Sequence, residues 1–228
     1  MAQVQKNSKI LRGRVGNLVF RVFNGKEVVS LRPCKYKKST SPEAIKNKNR
    51  FAAVVALARF INRLPELSKL WETSNQKGNN NYMKILKTNL TLTDGGDLSV
   101  KNIILPPDGF GNPVSDIIFN EDKLTIYFTY SEEDLPLLNN KYNLYLVFYK
   151  SGTDKKEKLT PGLDLQIIND IELTDRLEID LKPSFKYFAE EESNILIFCS
   201  LSTLNAGVES KTYSNTFGKI VSLKGIEV

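Results

Sequence analysis

Histidine is missing from all 228 residues, and with it go the commonest general base at neutral pH, the usual serine and cysteine triads and most catalytic zinc sites. Cysteine is nearly missing. Cys34 and Cys199 lie far apart, with no second thiol beside either, so neither a disulfide framework nor a zinc cluster is expected. Cys199 ends the run Asn194-Ile195-Leu196-Ile197-Phe198-Cys199 and reads as a small buried side chain. No stretch approaches the roughly 18 apolar residues of a membrane span. The start of the chain carries Lys6, Lys9, Arg12 and Arg14 around no apolar run longer than Ile10-Leu11, so no secretory leader is expected. The expected location is the cytoplasm, or a virion or other particle assembled there.

Acids are scarce at one end only. Residues 1–50 hold 13 Lys or Arg against Glu27 and Glu43, a balance of +11, whereas the remainder has 19 bases and 24 acids, a balance of −5. The two parts must therefore differ in what they touch: phosphate, anionic lipid, an acidic neighbour, or the acidic region of another copy of the same chain. With 41% apolar and 25% charged residues, the whole has the balance of a globular protein with a real core.

Strand-like runs begin early. Gly13-Arg14-Val15-Gly16 leads into Asn17-Leu18-Val19-Phe20-Arg21-Val22-Phe23, then Asn24-Gly25, then Lys26-Glu27-Val28-Val29-Ser30-Leu31-Arg32. Asn-Gly between two such runs is a strong hairpin signal, because a type I′ turn needs positive φ at both central residues. With that turn, Leu18, Phe20 and Val22 share an apolar face with Leu31, Val29 and Glu27. The other face mixes Val19, Phe23 and Val28 with Arg21, Lys26 and Arg32. A two-stranded hairpin is marginal alone and needs a partner for its apolar face. Pro33 ends the strand, and residues 34–39 form a basic connector.

Helical spacing follows. Thr40-Ser41-Pro42-Glu43 is a helix start with the elements of a capping box. Ile45, Phe51, Ala52, Val54, Val55, Ala58, Phe60, Ile61 and Leu64 carry the apolar stripe to Pro65. A shorter helix over 66–73 contains Trp71, read as core, and a third covers about 82–90. After Asp94-Gly95-Gly96-Asp97, read as an interdomain turn, strands are expected over 99–105, 115–119, 123–130, 142–149, 165–168, 176–181, 195–202 and 213–222. Period-two alternation is clearest in Leu124-Thr125-Ile126-Tyr127-Phe128-Thr129-Tyr130 and Leu177-Glu178-Ile179-Asp180-Leu181. The expected class is α+β: a basic arm with a β-hairpin over 1–40, helices over 41–93, and an antiparallel immunoglobulin-like β-sandwich over 94–228.

Candidates for chemistry are few. The acidic clusters Glu121-Asp122, Glu132-Glu133-Asp134 and Glu190-Glu191-Glu192 fall where strands end and read as solvated turns rather than paired acids or calcium ligands. Gly13-Arg14-Val15-Gly16 lacks the third glycine, the preceding strand and the Gly-Lys-Thr or Gly-Lys-Ser of a nucleotide cradle. No catalytic residue, metal ligand, cofactor or small-molecule substrate is expected, and the chain reads as non-enzymatic.

The features with functional weight are the hairpin and its charge. Leu18, Phe20, Val22, Phe23, Val29 and Leu31 are the expected interface residues. Arg12, Arg14, Arg21, Arg32, Lys35, Lys37 and Lys38, joined by Lys26 and with Phe23 and Tyr36 among them, are the candidates for phosphate or acidic-partner contacts. The leading reading is a structural protein that forms a homo-oligomer or joins a larger particle, phage-like or filamentous. The alternative is a nonspecific nucleic-acid-binding protein; a carbohydrate- or peptide-binding sandwich is a third, since such sites live on loops.

The order Gly13-x-x-Gly16-Asn17, an aromatic strand, Asn24-Gly25-Lys26, Val28-Val29, Arg32-Pro33, Thr40-x-x-Glu43, Arg50-Phe51 and Trp71 resembles the N-terminal block of a large Bacteroidota family of unknown function, and more loosely the start of some phage-type structural proteins. The resemblance covers residues 10–75 well and the rest in outline. It implies a glycine-led hairpin, a helix and an all-β domain, with a lean toward particle or filament building. Glu43 stands where that family commonly has Gln, and no catalytic residue is carried over.

Overall fold

A computed structural model of the chain describes residues 3–4, 11–23, 25–32, 39–120, 123–129, 141–151, 162–182, 194–203 and 213–222. The chain divides into two compact units, Met1–Ser41 and Pro42–Val228.

Among the described residues the first unit holds one antiparallel sheet of four strands in chain order: β1 (Gln3–Val4), β2 (Leu11–Val15), β3 (Leu18–Phe23) and β4 (Lys26–Leu31). Strands β3 and β4 pair Phe23 with Lys26 through to Leu18 with Leu31, the register that a two-residue turn at Asn24-Gly25 dictates. Asn24 lies outside the described residues; Gly25 has φ +76°. The sequence expectation stopped at two strands. Residues 11–15 instead add a strand, because Gly16, at φ +58°, opens a second two-residue turn that sets Val15 against Leu18.

The second unit starts with three helices: α1 (Pro42–Arg63), α2 (Pro65–Glu72) and α3 (Asn81–Leu90). Pro65 separates the first two for a local reason. The residue before a proline is pushed out of the helical region, and Leu64 is extended at φ −90°, ψ 109°. Asn80 caps α3, its Oδ1 accepting the Met83 N–H at 2.8 Å.

Among the described residues seven strands follow: β5 (Val114–Asn120), β6 (Lys123–Phe128), β7 (Lys141–Lys150), β8 (Gly162–Glu172), β9 (Arg176–Asp180), β10 (Asn194–Thr203) and β11 (Phe217–Ser222). They form two antiparallel sheets ordered β5-β6-β9 and β11-β10-β7-β8. In immunoglobulin lettering these are A-B-E and G-F-C-C′, a sandwich of that type. Between the sheets lies one core, with Ile117, Leu124, Ile126, Leu144, Leu146, Phe148, Ile195, Ile197 and Leu201 all buried.

A second core covers the opposite face of the larger sheet. Tyr145, Val147 and Tyr149 of β7 and Leu196 and Phe198 of β10 pack with Val54, Leu57, Ala58 and Ile61 of α1, Leu67 and Trp71 of α2, and Ile85 and Leu86 of α3. Strands β7 and β10 are thus covered on both faces, so they read as continuous apolar runs. Helices and sandwich, expected as segments 41–93 and 94–228, share this core. The stripe on α1 is buried only from Ala53 onward; Ile45 and Phe51, expected among its apolar positions, remain about half exposed.

Two strand expectations need correction. Residues 99–105 are not a strand. Their backbone is held by side chains instead: Asn89 Oδ1 accepts the Ile103 N–H at 2.8 Å, Asn89 Nδ2 donates to the Ile103 carbonyl at 3.0 Å, and Thr216 Oγ1 accepts the Ile104 N–H at 3.0 Å. Asn102, fully buried, donates back to Asn89 Oδ1 and to its carbonyl, each at 3.0 Å. Residues 213–222 are likewise not one strand. Tyr213 and Ser214 make isolated bridges to Ser202 and Phe110, and the strand begins at Phe217.

Candidate docking surface

Side chains directly opposite each other in a sheet share a face, so the register sorts the first unit into two unlike surfaces. One carries Val15 from β2, Leu18, Phe20 and Val22 from β3, and Val29, Leu31 and Glu27 from β4. The other carries Arg12 and Arg14, then Val19, Arg21 and Phe23, then Lys26, Val28 and Ser30. The unit as a whole has ten Lys or Arg against a single acid, Glu27, and that acid lies on the apolar face.

Water reaches the apolar face. Leu31 is 75% exposed, Val15 54%, Val29 52% and Leu18 39%, while Phe20 and Val22 are half-buried. Phe23, on the cationic face, is 69% exposed. Every side chain of β4 is exposed. Arg12, Arg14, Arg21 and Arg32 are exposed as well, and the Arg14 Nε donates to the Gly16 carbonyl at 2.9 Å. Among the described residues no ion pair involves this face. Lys35, Lys37, Lys38 and Tyr36 lie outside the described residues.

The structure brings the six expected interface residues into one sheet but splits them, with Phe23 on the cationic side and the other five together. Val15 is the residue that sequence reading missed on the apolar face. Its signal was present: Leu11-Arg12-Gly13-Arg14-Val15 alternates with period two and runs into Gly16-Asn17, a turn pair.

Three tyrosines and one cysteine of the second unit are tied into its packing. The Tyr149 hydroxyl donates to the Asp97 carboxylate, and the Ser151 hydroxyl bonds the same carboxylate, fixing the 94–97 turn to β7. Burial, then that carboxylate, push Tyr149 well above the usual tyrosine range. Burial and Asp108, which accepts from Tyr213 at 2.8 Å, raise Tyr213 likewise. Tyr145 is raised chiefly by burial, and burial alone pushes the Cys199 thiol up, leaving it inert. Among the described residues no cluster of carboxylates and thiols suits a metal ion, and no helix is long and apolar enough to cross a membrane. The acidic clusters at 121–122, 132–134 and 190–192 lie outside the described residues.

An open groove of about 640 Å³ lies beside Glu72, Gly78, Asn80, Tyr82 and Lys84. Its cation is already committed: Lys84 Nζ donates to the carbonyls of Trp71, Glu72 and Ser74 at 3.1, 2.9 and 2.8 Å, satisfying the C-terminal end of α2. No family model matches the chain, and no curated protein matches it.

Proposed function

We propose that this is a non-enzymatic assembly protein, which self-associates or docks into a larger particle through its N-terminal sheet while the helix-backed sandwich forms the body. The observation that carries this reading is the exposed apolar face of β2, β3 and β4. A single-layer sheet in a unit of about 40 residues has no interior of its own, and contiguous exposed apolar surface marks an interaction site. Phage-like or filamentous particles, built in the cytoplasm, suit such a device. Light scattering or mass photometry across protein concentration tests the reading, with an increase in mass as the expected result; a strict monomer that also binds no co-encoded protein contradicts it.

A second reading draws on the other face. Arg12, Arg14, Arg21 and Lys26 are gathered beside Phe23, which suits phosphate contact with a base stacked on the ring. It requires that a fluorescent oligonucleotide bind at low salt, weaken steeply as salt rises, and lose affinity when Arg14 and Arg21 become Ala. No binding at low salt ends that reading.

A further inference from the structure

Antiparallel partners alternate between residues that exchange backbone hydrogen bonds and residues that do not. The Arg32 N–H donates to the Asn17 carbonyl at 2.8 Å, which makes that pair a bonded one. Counting inward along the register, Val19–Ser30, Arg21–Val28 and Phe23–Lys26 are bonded, and Leu18–Leu31, Phe20–Val29 and Val22–Glu27 are not. On β3 the backbone groups of the second set turn toward β2, which pairs there through Gly13–Phe20 and Val15–Leu18. On β4 the corresponding groups belong to Glu27, Val29 and Leu31, and they point outward from the edge of the sheet. Among the described residues nothing bonds to them.

The sandwich treats its edges differently. Lys219 on β11 bonds Asp116 on β5, closing one side. Gln166 Nε2 on β8 donates to the Asp180 carbonyl on β9 at 2.9 Å, and Lys182 Nζ donates to the Leu165 carbonyl at 3.3 Å, closing the other. Among the described residues strand β4 has no such cover, and it has no proline and no bulge within it; an open edge of that kind is a template for another strand.

We infer that β4 is a self-pairing edge: two copies of this chain join their β4 strands antiparallel about a twofold axis through Val29. The inference rests on the assembly reading above and names its partner as a second copy. In this register all the outward groups find one another, Glu27 with the second copy's Leu31, Val29 with Val29, and Leu31 with Glu27. Moving the twofold axis two residues one way, to Glu27, sets Glu27 against Glu27; moving it two residues the other way, to Leu31, sets Val29 against Pro33, which has no N–H to give. Pairing edge to edge also keeps like faces on the same side, so the two apolar faces merge into one wider surface. On the cationic side Lys26 then meets the second copy's Arg32, a like-charge contact that salt relieves.

The test uses the full chain in a Cys34→Ser background. Val29→Cys is expected to form an intermolecular disulfide under mild oxidation, since bonded partners sit about 5.5 Å apart at Cα, whereas Val28→Cys, offset from its own copy, is not. Val29→Pro removes the outward donor without touching a bond inside the sheet, and is expected to weaken self-association by roughly tenfold or more. Association of the native chain should tighten from about 0.05 M to about 0.5 M NaCl, the opposite of phosphate binding. Self-association that survives Val29→Pro and gives no Val29→Cys cross-link overturns edge pairing while leaving the assembly reading intact. A chain that stays monomeric at every concentration and salt, and binds no co-encoded protein, overturns both.

Discussion

Two regions of this chain handle apolar residues in opposite ways. In Pro42–Val228 the larger sheet is sealed twice, by the smaller sheet on one face and by three helices on the other, and Phe148 and Phe198 show almost no surface. In Met1–Ser41 a sheet of shorter strands leaves Val29 and Leu31 more than half exposed. The charge divides along the same line: ten bases and one acid in the first unit, and therefore 22 bases and 25 acids in the second. Apolar strands alone do not make a core; a second layer does, and the described residues of the N-terminal unit supply none.

The largest effect should come from opening the doubly sealed sheet. Phe198→Ala removes a fully buried ring between β10 and the helices and is expected to cost about 3–5 kcal/mol, measured by urea unfolding followed by circular dichroism. Asn89→Ala comes next, at about 2–3 kcal/mol, because it orphans the Ile103 N–H and leaves the buried Asn102 amide with only the Asn89 carbonyl as acceptor. The same urea series reads it, and a loss under about 0.5 kcal/mol would show that the 99–105 segment is held some other way.

A pH titration sharpens the contrast further. Tyr149 and Tyr213 are raised in the folded chain, so above about pH 10 the unfolded chain gives up protons that the folded chain keeps. The stability they contribute is complete below that pH and falls above it, by about 1.4 kcal/mol per pH unit for each tyrosine still protonated. Urea midpoints stepped from pH 9 upward should show the decline, and Tyr149→Phe should make it shallower. The smallest effect belongs to the other region. Leu31→Ala is expected to change unfolding of the body by no more than about 0.5 kcal/mol while lowering the mass of the assembly in light scattering.

Much of the α+β order was legible in the residues, for particular reasons. Pro42 and Pro65 mark the helix starts, Asn24-Gly25 sets the β3–β4 register, and alternation in β9 reports a strand with one face toward water, whereas Thr125 of the equally alternating β6 is buried. Absence of alternation in Tyr142–Tyr149 and Ile195–Cys199 carried equal information, since it marks strands covered on both faces, yet periodicity alone does not say by what. Residues 99–105 misled because their apolar content is real, while the groups that decide their backbone, Asn89 and Thr216, lie elsewhere in the chain. On the candidate surface the apolar residues of β3 and β4 could be named from the sequence. Their division into two faces follows from the Asn24-Gly25 register, and the third strand, β2, adds Val15 to one face and Arg12 and Arg14 to the other.

Amide hydrogen exchange on the dilute full chain bears most directly on whether the N-terminal sheet is completed by another molecule. Amides of β3 and β4 should exchange far faster than those of β7 and β10 when the chain is dilute, and slow markedly as concentration rises or a partner is added. Protection of β3 and β4 equal to that of β7 in a demonstrably monomeric sample would contradict the proposal.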